Sequence, residues 1–273
     1  MDDGVTLHGW KYLPKNIGPK EQVPAIVMIN GFSGVKDTIT QYAEAFQAEG
    51  FVVLLYDNRN FGASGGEPRL HIDPSRQLAD LRFAITVLQG MPEVDPERIG
   101  MWGTSLAGGH AIVTAANDRR IKCVVSQVPF ISGHRTAERF YPVHRMATLR
   151  KMFDQERKNR LRGEPHTMMP VLSETDDFCC LPPPVSKRFM QASIDQAAAW
   201  KNEVTLGSLE NFFDYEPGAL IQFVSPTPLL MIVGSRDNIC FPEIAFDAYE
   251  RALEPKSLYV HGAGHWGTYV TPY

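Results

Sequence analysis

The sequence predicts an α/β fold with a mostly parallel central sheet, flanking helices and one helical insertion. Short, continuously apolar runs such as Ala25–Asn30 (AIVMIN) and Phe51–Tyr56 (FVVLLY) have the character of strands buried on both faces. These runs alternate with stretches of helical spacing, the pattern of a parallel sheet built from strand–helix units. The alternation stops near Ile131 and resumes near Val224, a gap too long for an ordinary connection.

Val5–Tyr12 reads as an opening strand and Ala25–Asn30 as the first buried one. Thr38–Glu49 sets Ile39, Tyr42, Ala43 and Phe46 on one helical face and stops at Gly50, a residue suited to a helix end. After strand Phe51–Tyr56, Pro74-Ser75 opens a helix with Leu78, Leu81, Ile85 and Leu88 along one side, ending at Gly90. Strand Arg98–Trp102, helix Leu106–Ala116 and strand Lys122–Ser126 follow. Residues 131–224 show no buried-strand run. They hold helical stretches at Ala147–Arg162, Pro184–Ala199 and Leu206–Phe213, broken at Gly163-Glu164-Pro165 and Pro182-Pro183-Pro184. Strand Leu229–Val233, helix Glu243–Leu253 and strand Ser257–Val260 complete the series. Residues 1–130 and 225–273 therefore read as one core. Residues 131–224 read as a helical lid over the sheet end where α/β proteins bind ligands, with an ungated helical subdomain as the alternative.

The 273 residues are 44% hydrophobic and 21% charged, which excludes a disordered or low-complexity chain. Lys and Arg number 27 against 31 Asp and Glu, a net −4, and only Arg145–Arg162 is modestly basic. No nucleic-acid groove or anionic membrane partner is expected. The longest apolar runs, such as Leu229–Val233, are too short to span a bilayer, and the start Met1-Asp2-Asp3-Gly4 is no signal peptide. Four cysteines, two of them adjacent at Cys179-Cys180 and two near strands at Cys123 and Cys240, fit reduced thiols. A soluble, cytoplasmic protein is expected.

A G-x-S-x-small pattern occurs twice, at Gly62-Ala63-Ser64-Gly65-Gly66 and at Gly103-Thr104-Ser105-Leu106-Ala107. A loose pattern of this kind arises by chance roughly once in every few chains, so context decides. A nucleophile elbow needs a strand, a tight turn and a helix starting at once. Ser105 has all three. Ser64 is followed by Glu67-Pro68 with no helix before Pro74, so its glycines suit a flexible turn. Ala107 stands where the strict motif has a second glycine.

A serine hydroxyl is a poor nucleophile until a base takes its proton. Of eight histidines, His265 follows the last strand in Gly262-Ala263-Gly264-His265, the right end of the sheet for a base. The orienting carboxylate is expected after the preceding strand, where Asp237 lies in Gly234-Ser235-Arg236-Asp237. The chain order Ser105, Asp237, His265 is that of the α/β-hydrolase triad. Oxyanion donors are expected at the backbone N–H of Leu106 and of Phe32 in Asn30-Gly31-Phe32-Ser33-Gly34. His134 and His144 at the lid entrance, Tyr141, and Trp266 beside the histidine are candidate substrate contacts. Phe140, Met146, Met168, Met169, Phe178 and Phe189 could wall an acyl cavity. Cys179-Cys180 lacks zinc-site spacing, no phosphate-loop motif occurs, and the glycines near Ser64 do not open a helix, so neither metal nor cofactor is expected.

The segments NGFSGVKD, YDNRNFGASGGEPR, GTSLAGGH, AWKNEVTLGSLENFFDYEPG, FVSPTPLLMIV and AYERALEPKSL with GAGHWGTY resemble α/β-hydrolases of the fungal polyketide transferase type and their bacterial relatives. The resemblance covers nearly the whole chain and is weakest from about Arg139 to Met190. It implies the α/β-hydrolase fold and the triad Ser105, Asp237 and His265. Departures fall at Asn30, where many such enzymes have histidine, and at Trp266, where relatives often carry a smaller aromatic. Relatives also usually continue into a final helix beyond the position of His265, so a truncated or disordered C-terminus is expected. The implied function is a serine hydrolase or acyltransferase acting on an ester or thioester of a medium-to-large, polyketide-derived acyl group, free or bound to coenzyme A or a carrier protein. Two alternatives stay open: carbon–carbon bond hydrolysis of a diketone on the same triad, and a non-catalytic binding protein of this fold. The oligomeric state is open, a homodimer included.

Overall fold

The computed structural model describes residues 1–18, 20–173, 178–182 and 197–269. Along the chain come β1 (Gly9–Tyr12), β2 (Val23–Ile29), α1 (Thr40–Ala48), β3 (Val52–Tyr56), α2 (Pro74–Gln89), β4 (Val94–Thr104), α3 (Leu106–Asn117) and β5 (Ile121–Gln127). Then follow α4 (Gly133–Phe140), α5 (Val143–Leu161), β6 (Met168–Pro170), β7 (Glu203–Thr205), α6 (Leu206–Phe213), β8 (Leu229–Gly234), α7 (Pro242–Arg251) and β9 (Lys256–His261).

Seven strands form one sheet in the order β1-β3-β2-β4-β5-β8-β9. All neighbours are parallel except β1, which pairs antiparallel with β3. The central strands are apolar on both faces because helices cover both. On one face Val27, Ile85, Ile112 and Ala248 join β2, α2, α3 and α7 in one core. On the other, Met28, Leu55 and Trp102 pack under Ile39 and Ala43, beside α1. The mostly parallel sheet flanked by helices is the predicted fold class.

Local chemistry sets the helix ends. The Asp73 side chain accepts from the Arg76 N–H, and Pro74 occupies the first turn of α2. Ser132 caps α4 through the Arg135 N–H, and Thr205 caps α6 through the Ser208 N–H.

Several elements depart from expectation. The opening strand is shorter than Val5–Tyr12, because the backbone before Gly9 is held by a loop instead. Gly65 N–H donates to Thr6 O, and His8 N–H donates to Ser64 Oγ. Residues 131–224 are not purely helical. β6 and β7 form an antiparallel pair with Met169 opposite Val204, strands of three residues each, too short for alternation to show. α4 is a helix the spacing did not reveal, and α5 begins at Val143 rather than Ala147. The expected helix Pro184–Ala199 lies outside the described residues except for its last three, which are loop and turn. No helix among the described residues is long and apolar enough to cross a membrane.

One buried histidine ties the core to this inserted segment. His110 on α3 is fully buried, its Nδ1 2.8 Å from Tyr215 OH and its Nε2 3.0 Å from Gln77 Oε1. Burial holds it neutral, with its pKa lowered to about 3. The unfolded chain binds this proton near pH 6.5 and the folded chain does not. Its contribution to stability is therefore present above about pH 6.5 and is lost as pH falls from there toward 3. The unfolding free energy should fall in that window by up to about 1.4 kcal/mol per pH unit from this residue. Urea unfolding at a series of acidic pH values should show a shallower slope for His110→Gln than for the parent. Parallel slopes would exclude His110 as a source of acid sensitivity.

Candidate active site

The site forms at the carboxyl ends of β2, β4, β8 and β9, where each strand hands over to a loop. Ser105 sits between β4 and α3 with φ 59° and ψ −123°. A residue other than glycine holds positive φ only under constraint, and such strain gathers at functional turns. The constraint is visible: Ser105 N–H donates to Gln127 O at 2.9 Å, and its carbonyl accepts from Gly108 and Phe130, each at 2.9 Å. Gly103 cannot carry a side chain, since a Cβ there would lie 2.1 Å from Ala107 O. Ala107 itself is fully buried and fits the turn, so the missing second glycine costs the elbow nothing visible.

Asp237 follows β8. Its Oδ1 accepts from the N–H groups of Ile239 and Cys240 at 2.8 and 2.9 Å, which leaves Oδ2 facing His265. His265 opens a 3₁₀ turn after β9, and its Nδ1 lies 2.7 Å from Asp237 Oδ2. Both side chains are almost fully buried. With Nδ1 engaged by the carboxylate, Nε2 is the nitrogen left to exchange protons. Ser105 and His265 line one cavity of about 50 Å³. No hydrogen bond joins them in this resting arrangement; Ser105 Oγ instead meets Cys240 Sγ at 3.9 Å. Burial, with the nearby Asp237 charge, pushes the Cys240 thiol well up, so it stands there as a neutral thiol. Donor atoms of Asp237, Cys240 and His265 lie within 4.8 Å of one another, the spacing of a metal ligand set. The direct 2.7 Å contact between two of them is a carboxylate–imidazole hydrogen bond, which occupies the space an ion would need.

The loop after β2 closes against Ser105. A Cβ on Gly31 would lie 2.9 Å from Ser105 Cβ, so glycine permits the approach. Asn30 shapes this loop: its Nδ2 donates to Val35 O at 2.7 Å and to Thr38 Oγ1, and its Oδ1 accepts from Gly31 N–H at 2.7 Å. The N–H groups of Phe32 and Leu106 find no acceptor among the described residues. Both belong to segments that border the cavity.

Other predicted residues fall elsewhere. His134 is exposed on α4, 3.9 Å from Glu138, and lines a surface groove instead of the cavity. Spacing placed it at the lid entrance, but the turn of α4 points it outward. Tyr141 is buried in the inserted segment, its hydroxyl donating to Cys179 O. Trp266 does line the cavity. Of the expected wall residues, Phe140, Met146, Met169 and Phe178 pack in a core shared by the inserted segment and loops of the α/β core, and Met168 is exposed, while Phe189 lies outside the described residues. Leu181, Trp200 and Phe212 border the cavity instead. Trp200 Nε1 reaches Ser33 Oγ at 3.3 Å, and the Phe212 ring stacks on Phe130 at 4.0 Å. Sequence reasoning missed Cys240, although its place three residues after Asp237 was a usable signal. Ser64 is a structural serine: it is buried, donates to Asp57 O at 2.6 Å and accepts from His8 N–H at 2.8 Å.

A family model described as X-Pro dipeptidyl-peptidase (S15 family) matches residues 3–267. Thiohydrolase aneE of Aspergillus aculeatus is 31% identical over 97% of this chain and 84% of its own length. Polyketide transferase grgF of a Penicillium species is 31% identical over 96% of this chain and 86% of its own length. The crystal structure of the α/β hydrolase GrgF from Penicillium superposes with a TM-score of 0.83 at 29% identity, over 96% of this chain and 88% of that one.

Two serines can be separated by a covalent probe. A fluorophosphonate should label Ser105, and Ser105→Ala should abolish labelling. Ser64→Ala should still label but unfold at lower temperature, because it leaves buried partners unpaired at about 1–3 kcal/mol. Loss of labelling in a folded Ser64→Ala protein would move the nucleophile to the other motif.

Proposed function

This chain belongs to the X-Pro dipeptidyl-peptidase (S15) family of α/β-hydrolases, alongside fungal thiohydrolases and polyketide transferases, and on that premise we propose that it is a serine acyl hydrolase or acyltransferase for esters or thioesters of medium-to-large, polyketide-like acyl groups. The observation that carries this reading is the buried 2.7 Å Asp237–His265 pair beside a serine on a strained strand–helix turn.

Ser105 Oγ turns from Cys240 toward His265 Nε2, gives up its proton there and attacks the acyl carbonyl. Asp237 holds the imidazole in the tautomer that leaves Nε2 free to accept, and stabilises the imidazolium that forms. The N–H groups of Phe32 and Leu106 take the oxyanion, each contributing on the order of 3 kcal/mol to lowering the barrier. His265 then protonates the leaving alcohol or thiol, such as the thiol of coenzyme A or of a carrier protein. Water or a second hydroxyl, activated by the same histidine, releases the acyl group. Whether hydrolysis or transfer follows depends on how well the lid, residues 131–224, excludes water from the acyl-enzyme.

A dipeptide substrate fits poorly. Its ammonium group would need a carboxylate, and Asp and Glu are absent from the described residues that border the cavity. An apolar acyl chain suits Phe32, Phe130, Ile239 and the lid side chains Leu181, Trp200 and Phe212. The cavity, about 50 Å³, is lined mainly by apolar and aromatic side chains.

Asp237→Asn should leave the fold intact and lower kcat by about four orders of magnitude through the wrong imidazole tautomer. A mild effect there would remove Asp237 from the triad. In a panel of p-nitrophenyl esters and acyl thioesters, kcat/KM should rise with chain length, each added methylene contributing up to about 0.8 kcal/mol. Acetyl esters as the best substrates would show that the lid does not receive an acyl chain.

A further inference from the structure

The cavity beside Ser105 offers more hydrogen-bond donors than the protein itself uses. Asn30 spends its amide on Val35 O and Thr38 Oγ1. Thr38 Oγ1 donates to Val35 O at 2.9 Å, and Trp200 Nε1 is taken by Ser33 Oγ. Trp266 differs: its Nε1–H is buried and has no acceptor among the described residues. An unpaired buried N–H costs about 1–3 kcal/mol, and such groups call for an explanation in a ligand or in function.

The indole follows His265 directly in the 3₁₀ turn His265–Thr268. Its ring stands edge-on to His265 with centroids 5.2 Å apart and lies 5.3 Å from the Tyr269 ring, bordering the same cavity as the nucleophile. Three donors of residues at or next to this cavity thus lack a partner among the described residues: the N–H groups of Phe32 and Leu106, and Trp266 Nε1–H. The first two suit one oxygen, that of the reacting carbonyl. The third calls for another.

Resting on the acyl-transfer reading above, we infer that Trp266 is a specificity-determining residue that binds a second substrate oxygen, a carbonyl or hydroxyl near the scissile carbonyl. The chain then selects oxygen-bearing substrates over saturated ones of equal length. That oxygen can belong to the acyl chain, as in a β-hydroxy or β-oxo acyl group, or to an amide in the leaving arm. The shared requirement is an acceptor that takes the indole proton once water is excluded.

Four thioesters separate these sources: hexanoyl and β-hydroxyhexanoyl groups, each on propanethiol and on N-acetylcysteamine. The wild-type protein should favour the oxygen-bearing substrates by about tenfold in kcat/KM, the worth of one buried hydrogen bond. Trp266→Phe should lose most of that preference, costing those substrates about tenfold more than hexanoyl propanethioester. An extra loss that follows the β-hydroxyl puts the oxygen on the acyl chain; one that follows N-acetylcysteamine puts it on the leaving arm. Because the wild-type preference is measured without any variant, a Trp266→Phe protein that does not fold leaves the test in force. Equal turnover of all four by the wild type, or a uniform loss across all four in Trp266→Phe, overturns the inference and leaves the acyl-transfer reading standing. Turnover of none of the four overturns both.

Discussion

At Ser105 the backbone takes a positive φ that a side chain tolerates only when its neighbours enforce it, and the neighbours are drawn from across the molecule. Its N–H is held by Gln127 at the end of β5, and its carbonyl by Gly108 and Gly109 of α3 and by Phe130, where the chain enters the insertion. One turn thereby fixes the angle between strand and helix and the start of the lid. Gly103 and Gly31 are the positions where a side chain would break that arrangement, the first against Ala107 O and the second against Ser105 itself. The strain sits where the hydroxyl must be presented, and packing elsewhere sustains it.

The loop after β2 is held by a second device, a buried ion pair. Lys36 Nζ lies 2.8 Å from Asp57 Oδ2, and Asp57 Oδ1 accepts the Lys36 N–H at 2.7 Å. The same carboxylate takes the Ala63 N–H at 3.0 Å, which ties in the glycine-rich loop around Ser64. Next to it, Arg59 pairs with Asp80 through two bonds of 2.6 Å. Buried pairs of this kind add little net stability, but removing one partner leaves a stranded charge at a cost of about 3–5 kcal/mol. The DNRNFGASGG segment is thus a scaffold that anchors the loop carrying Phe32. Its resemblance to a nucleophile motif comes from the need for glycines near a buried carboxylate.

The inserted segment divides its apolar residues between two tasks. Many, such as Leu149, Phe153 and Leu209, join Phe61, Leu106 and Phe130 of the α/β core in one apolar cluster. A few reach the cavity, among them Trp200, whose indole bonds the loop after β2 at Ser33, and Phe212, whose ring meets Phe32 edge-on at 4.9 Å.

The sequence alone determined the strand–helix alternation, because buried parallel strands are apolar throughout and their lengths are distinctive. It also set Ser105, and not Ser64, between a strand and a helix, which is where the structure has it. Asp237 and His265 were legible for the same reason: each follows a strand that ends at the same edge of the sheet. Only the tertiary structure decided what lines the cavity. Which face of a helix points inward is set by its packing partners, so Leu181, Trp200 and Phe212 took the places that spacing had offered to His134 and Met168. The three-residue strands β6 and β7 were invisible because so short a run carries no period. The unpaired indole N–H of Trp266 depends on where separate loops meet, which no local pattern encodes.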